Sequence, residues 1–245
     1  MISSIHILNT KIDNLTMKET LQLVSQCIEQ QKQIHHTVVN AGKIVALQKD
    51  KALRQGVNEA DVINADGQAV IWASKLLNKP LKERVAGIDL FTNLLALATE
   101  KKYKVYLLGA TPEVLEGLTE IIQQQYEPEI IAGAHHGYFS TEEEPEIVKN
   151  IANSGANMLF VAMSSPKKEI FLHTHKESLK AVNFIMGVGG SFDVISGKTK
   201  RAPLWMQSSG LEWFYRFLQE PRRMWKRYLI GNAKFISLVF KEKLK

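Results

Sequence analysis

Short apolar runs alternate with helical periodicity through the second half of this chain. Residues 105–108 form an apolar run and a helical pattern follows over 112–125; a run over 158–163 is followed by a helical pattern over 166–177, and a third run covers 184–188. This alternation predicts a parallel sheet covered by helices, because each crossover between parallel strands has to bury its apolar stripe on a sheet face. Pro112 and Pro166 each come soon after a strand, where proline suits the first turn of a helix. The first half is less regular. Residues 37–39 and 61–63 read as short strands leading into polar turns, and 88–98 reads as an apolar helix.

The last 45 residues follow a different pattern. Leu211, Phe214, Phe217 and Leu218 have helical spacing, and Pro221 opens a segment in which Met224, Trp225, Tyr228 and Leu229 alternate with Arg222, Arg223, Lys226 and Arg227. One face is apolar and aromatic, the other cationic. The sequence therefore divides into an α/β body over 1–200, of Rossmann-like parallel-sheet class, and a basic amphipathic helical appendage over 201–245. No repeat or long linker interrupts the body.

Charge reinforces this division. The formal net charge is +6, and the segment from Arg201 onward alone carries +7 with three of the four tryptophans, so the body is close to neutral. A basic, aromatic tail suits an anionic membrane surface, a lipid-linked diphosphate or a nucleic acid, and it also suits a helix packed on the body with its cations in water. A single cysteine, Cys27, permits no internal disulfide and implies a reducing, cytoplasmic setting. No uncharged run reaches the roughly 20 residues a bilayer requires, and the N-terminal residues do not read as a secretion signal. Membrane attachment is thus expected to be peripheral, on the inner face of the plasma membrane.

Open parallel sheets bind ligands beyond the carboxyl ends of their strands, which directs attention to the polar turns. Asp66 follows a strand and precedes Gly67, so its carboxylate either enters a cleft or simply makes an Asp-Gly turn or helix cap. Arg84 and Asp89 precede a helix; Arg84 has the bidentate fork for phosphate or carboxylate, or forms a surface ion pair with Glu83 or Asp89, and Asp89 is otherwise a helix cap. Gly109 opens a strand-to-helix turn, and Gly187, Gly189 and Gly190 follow an apolar strand, where backbone N–H groups can approach a ligand or backbones can pack closely. Asp193 lies next to these glycines, placed to accept from a nucleobase or ribose. The dinucleotide fingerprint Gly-x-Gly-x-x-Gly is missing, which disfavours a sugar-nucleotide oxidoreductase. No Asp-x-Asp pair is present, and the adjacent His135 and His136 would point in different directions in a strand with no cysteine near, so no metal and no cofactor are expected.

Several blocks occur in a fixed order: Asn64-Ala-Asp-Gly, Glu83-Arg-Val-Ala-Gly-Ile-Asp-Leu, Leu107-Leu-Gly-Ala, Gly137-Tyr-Phe, Ser165-Pro-Lys, Gly187-Val-Gly-Gly-Ser-Phe-Asp-Val, Lys200-Arg-Ala-Pro, Gly210-Leu-Glu-Trp and Gln219-Glu-Pro-Arg-Arg. Together they resemble the WecG/TagA/CpsF glycosyltransferases, family 26, over about residues 38–235. The resemblance implies an inverting, metal-independent enzyme that moves an N-acetylmannosamine-type sugar from UDP to an undecaprenyl-diphosphate-linked N-acetylglucosamine in teichoic acid or polysaccharide synthesis. It implies Asp66 as catalytic base and Asn40 and Arg84 as substrate-site residues; with the turn residues Asn64, Gly67, Asp89, Gly109, Lys168, Gly187, Gly189, Gly190 and Asp193 these make up the expected substrate contacts. It also implies Arg216, Arg222, Arg223, Lys226 and Arg227 as contacts to the acceptor diphosphate or membrane. The chain departs from the pattern at Lys168, where many members have glutamine, and at Val38, where many have threonine. The expected partners are a UDP-sugar, a lipid-linked acceptor, an anionic membrane surface and a second copy of the chain, with no nucleic acid. A nucleotide- or nucleic-acid-binding module using the same basic tail is the alternative.

Overall fold

A computed structural model describes residues 2–244, apart from the side chains of Arg223, Lys226 and Arg227. Strands β1 (Ser4–Ile7) and β2 (Thr10–Asp13) form an antiparallel hairpin whose turn residues Leu8 and Asn9 have φ of 49° and 59°, the left-handed pair that closes a tight hairpin. Helix α1 (Met17–Glu29) starts at a capping box in which Thr16 Oγ1 accepts from Glu19 N and the Glu19 carboxylate accepts from Thr16 N. Next come β3 (Ile34–Val39), α2 (Ala41–Leu47), α3 (Lys51–Asn58), β4 (Val62–Ala65), α4 (Gln68–Leu76) and α5 (Gly87–Lys101). The second half holds β5 (Val105–Gly109), α6 (Pro112–Gln125), β6 (Ile131–His135), α7 (Glu144–Asn153), β7 (Met158–Ala162), α8 (Lys167–Thr174), β8 (Phe184–Gly187) and α9 (Ser191–Ile195). The chain ends in α10 (Leu204–Ser208), α11 (Glu212–Gln219), α12 (Pro221–Trp225), a π-helical turn at Lys226–Ile230, and α13 (Gly231–Lys243).

Six strands form one parallel sheet in the order β4-β3-β8-β7-β5-β6. Strands β4, β7 and β8 are buried or nearly so along their whole length, as expected for a sheet covered on both faces. One core lies between α1, α5, α6 and the sheet, around Leu90, Phe91, Leu94, Phe160 and Phe184. A second, around Ile7, Ile12, Ile44, Ile63 and Val70, includes Phe235 and Val239 of α13. The final helix therefore packs on the body through Phe235 and Val239.

Where the sequence pattern was strongest the elements agree. The strands expected at 37–39 and 61–63 run longer, to Ile34–Val39 and Val62–Ala65, because polar or β-branched residues at their ends still pair in the ladder. Pro112 does open α6, whereas Pro166 sits just outside α8 as its cap residue. Helix α8 stops at Thr174, short of the expected 177. The apolar helix begins at Gly87 with Ala86 as its cap, so Asp89 lies inside the first turn instead of capping it.

Candidate active site

The carboxyl ends of β3, β4, β7 and β8 open into a cleft of about 2030 Å³ that continues beneath α11 and along α13. A single small-molecule site usually occupies about 300–1,000 Å³, so this space suits two substrates. Asp66 lies in its wall. Its position follows from backbone geometry at the end of β4: Asp66 N donates to Val39 O at 2.8 Å, and Val85 N donates to Ala65 O at 3.0 Å. Gly67 then turns the chain into α4 with φ of 106°, a conformation that a side chain would strain.

Five influences act on the Asp66 carboxyl. Burial raises its pKa above the ordinary carboxylate range; the Arg84 guanidinium opposes this, Glu212 adds to it, the Gly87 N–H that donates to the carboxylate opposes it, and Asp89 adds to it, leaving the pKa raised. A Cβ on Gly87 would come within 3.7 Å of Asp66 Oδ2, which shows how closely the start of α5 approaches.

Arg84 and Asp89 take part in a network that the sequence did not reveal. Arg84 Nη1 meets Glu212 Oε2 at 3.3 Å, Arg201 Nε meets Glu212 Oε1 at 3.3 Å, and Arg201 Nη1 meets Asp89 Oδ1 at 2.7 Å. Arg84 is therefore paired with neither Glu83 nor Asp89. Burial would lower the Arg201 pKa, but Asp89 and Glu212 more than offset this and hold it charged. The network ties α11 over Asp66. Arg201 Nη2 and Arg216 Nε are buried atoms without a hydrogen-bond partner among the described residues, and both arginines line the cleft.

The remaining candidates divide by position. Asn40, Gly67, Arg84, Lys168, Gly187, Gly189, Gly190, Asp193 and Arg216 line the cleft with Asp66. Asn40 also caps α2, its Oδ1 accepting from Lys43 N at 3.0 Å. Arg216 packs on Gly190, where a Cβ would lie 2.8 Å from Nη2. Asn64 does not reach the cleft: it is fully buried, and its Oδ1 sits 2.8 Å from His36 Nε2 and 3.4 Å from Thr20 Oγ1. Gly109 is also outside the lining; with φ of 125° it lets β5 pack on β7, where a Cβ would meet Ala162 O at 2.5 Å. Asp89 lies outside the lining; it pairs with Arg201 and its charge acts on Asp66. Arg222 is exposed and lies outside the lining, while the side chains of Arg223, Lys226 and Arg227 fall outside the described residues. Lys43, Arg201 and Glu212 line the cleft without having been expected. Lys43 comes from α2 and lies in none of the motif blocks; Arg201 and Glu212 lie in the blocks at Lys200 and Gly210, whose spacing does not show that they meet Arg84 beside Asp66.

Among the described residues, eleven of the sixteen exposed large hydrophobic side chains, including Leu204, Trp205, Leu218, Leu229 and Phe240, come from the residues after 200. Trp72 and Leu76 of α4, which packs on α13, are exposed as well. Among the described residues no helix is long and apolar enough to cross a membrane.

Comparison with known proteins adds a separate line. Residues 5–245 match the family described as "Glycosyl transferase WecG/TagA/CpsF family". A protein of Bacillus subtilis (strain 168) named N-acetylglucosaminyldiphosphoundecaprenol N-acetyl-beta-D-mannosaminyltransferase is 38% identical over 207 residues, covering 84% of this chain and 78% of the relative. A Staphylococcus aureus (strain MW2) protein of the same name is 35% identical over 238 residues, covering 96% and 90%. A Bacillus spizizenii protein, again of that name, is 39% identical over 185 residues, covering 76% and 70%.

Proposed function

Because the chain belongs to the WecG/TagA/CpsF family and is a glycosyltransferase, we propose that it transfers an N-acetylmannosamine-type sugar from a UDP donor to undecaprenyl-diphosphate-linked N-acetylglucosamine. The relatives' shared name supports the acceptor and the sugar. The observation that carries the mechanism is Asp66, a partly buried carboxylate with raised pKa in a cleft large enough for two substrates.

In this reading the acceptor hydroxyl attacks the anomeric carbon while its proton passes to Asp66. The bond from that carbon to the donor phosphate breaks, its electron pair leaves on UDP, and the configuration inverts. A base with a pKa above the ordinary carboxylate range accepts the proton more readily than a fully solvated aspartate, provided that it is ionised. Charge growing on the departing UDP is met by backbone amides at Gly187, Gly189 and Gly190 and by cationic side chains, in a metal-independent reaction. The exposed apolar surface after residue 200 and the basic residues among it hold the enzyme on an anionic bilayer, where the lipid-linked acceptor resides.

A panel of UDP-sugars incubated with a short-chain lipid-diphosphate-N-acetylglucosamine, with and without a chelator, tests this reading. UDP release and a glycosylated lipid with UDP-N-acetylmannosamine, undiminished by the chelator, are expected. Transfer from no UDP-sugar would refute the donor assignment.

A further inference from the structure

Two buried lysines face the cleft and share a single carboxylate. Lys43 Nζ lies 3.5 Å and Lys168 Nζ 3.4 Å from the same oxygen, Glu169 Oε1, which also accepts from Ser165 Oγ at 2.9 Å. The Lys43 side chain is 15% exposed and that of Lys168 9%. Both lysines line the cleft, whereas Glu169 lies behind them and does not. One carboxylate cannot neutralise two ammonium groups, so this wall carries a surplus positive charge directed into the cleft.

Burying a lysine without full compensation is costly, and proteins keep such a group where a ligand completes it. The hydrogen-bond inventory agrees. An ammonium has three donors. Lys43 uses one on Thr37 Oγ1 at 3.2 Å and approaches Glu169, while Lys168 has only Glu169 among the described residues. Burial together with repulsion from Lys168 lowers the pKa of Lys43 to about 8, the state of a cation short of an anion. Space has been made for Lys168 as well: a Cβ on Gly187 would fall 2.6 Å from its Cε and 2.9 Å from its Nζ, so the glycine at the end of β8 lets the ammonium lie across the strand terminus. The carboxyl ends of β7 and β8 are where an open parallel sheet receives an anionic ligand.

We propose that Lys43 and Lys168, spaced by Glu169, form an anion subsite that takes a negatively charged group of the nucleotide donor, its diphosphate or a carboxylate on its sugar. This deepens the glycosyl-transfer reading and rests on it for the identity of the donor. Lys43 acts here as a binding residue that no sequence motif indicates.

Calorimetry on the full chain tests it, using inorganic pyrophosphate, uridine, UDP, UDP-glucose and UDP-glucuronate with the wild type, Lys43→Gln and Lys168→Gln, each variant checked for an unchanged melting profile. Both variants are expected to bind pyrophosphate and UDP about tenfold more weakly or worse, as expected for loss of a charge-assisted contact, and to bind uridine as the wild type does. Wild-type affinity for UDP should also fall as pH rises through about 8, with Lys43→Gln showing no such fall. A loss confined to UDP-glucuronate when set against UDP-glucose also supports the subsite and identifies the sugar carboxylate as its anion. Unchanged affinity for pyrophosphate, UDP and UDP-glucuronate in both variants overturns the proposal, as does an equal loss for uridine and UDP. If the wild type binds pyrophosphate through these lysines but no uridine compound, the nucleotide-donor reading fails and the anion subsite stands.

Discussion

Glu212 offers the sharpest single perturbation, because it links α11 to Arg84 and Arg201 in the cleft wall and also acts on Asp66. Its carboxylate lies 3.3 Å from both Arg84 and Arg201. At an effective dielectric of about 20, each contact at that distance carries roughly 5 kcal/mol of gross Coulomb attraction. The side chains are 19%, 27% and 30% exposed, so solvent screening and desolvation remove most of this and leave about 1 kcal/mol for each pair. Glu212→Gln keeps the shape and hydrogen-bonding capacity and loses the charge. It should therefore cost about 1–2 kcal/mol and lower Tm by a few degrees. Its effect on catalysis has a defined sign. Glu212 raises the Asp66 pKa and also offsets Arg84, which lowers it, so removing the charge lowers the Asp66 pKa on both counts. As Asp66 must be ionised to act as base, the acidic limb of the kcat/KM profile should move to lower pH in the variant. An acidic limb that stays in place or moves upward, in a folded variant, refutes the coupling between α11 and the base.

Other expectations follow from the same geometry. Asp66→Asn should preserve the melting profile and reduce transfer by about 10²–10⁴-fold, the usual worth of a general base, and turnover near wild type would remove Asp66 from that role. The double substitution Leu204→Ser with Trp205→Ser, at two side chains 81% and 64% exposed, should reduce sedimentation with anionic liposomes while sparing the fold; equal sedimentation would place the membrane contact elsewhere. Burial lowers the pKa of His36 to about 4, with Asn64 partly opposing. An unfolded histidine binds its proton near pH 6.5, so the stability gained from a neutral His36 is present above that pH and is lost as pH falls from about 6.5 toward 4. Denaturant titrations across that window should show the loss, reduced in His36→Gln.

The parts legible in the sequence were those set by local physics. Apolar runs alternating with helical spacing located β5, β7, β8 and the helices between them, and a carboxylate before glycine at a strand end located Asp66. The hairpin of β1 and β2 and strand β6 passed unread, because four or five residues of mixed polarity carry little periodicity and their pairing supplies the order. Asn64 was assigned to the site by its proximity to Asp66 in sequence, yet within a fully buried strand its side chain bonds to His36. Conversely, Glu212 lies 128 positions from Arg84, and Lys43 meets Glu169 from another helix, so only the folded sheet brings them together. The network around Asp66 was invisible for that reason.

The packing of α13 has a consequence for synthesis of the protein. Phe235 and Val239 fill a core shared with the first hairpin, and Glu242 accepts from Leu8 N at 2.8 Å, a contact that joins positions 234 residues apart. A ribosome still holding α13 cannot permit that closure, so this core waits until α13 has emerged. The same helix lines the cleft, which means that a nascent chain still lacking α13 has no finished cleft. A chain cut off before α13 is therefore expected to be unstable, with its core left open and its cleft unfinished.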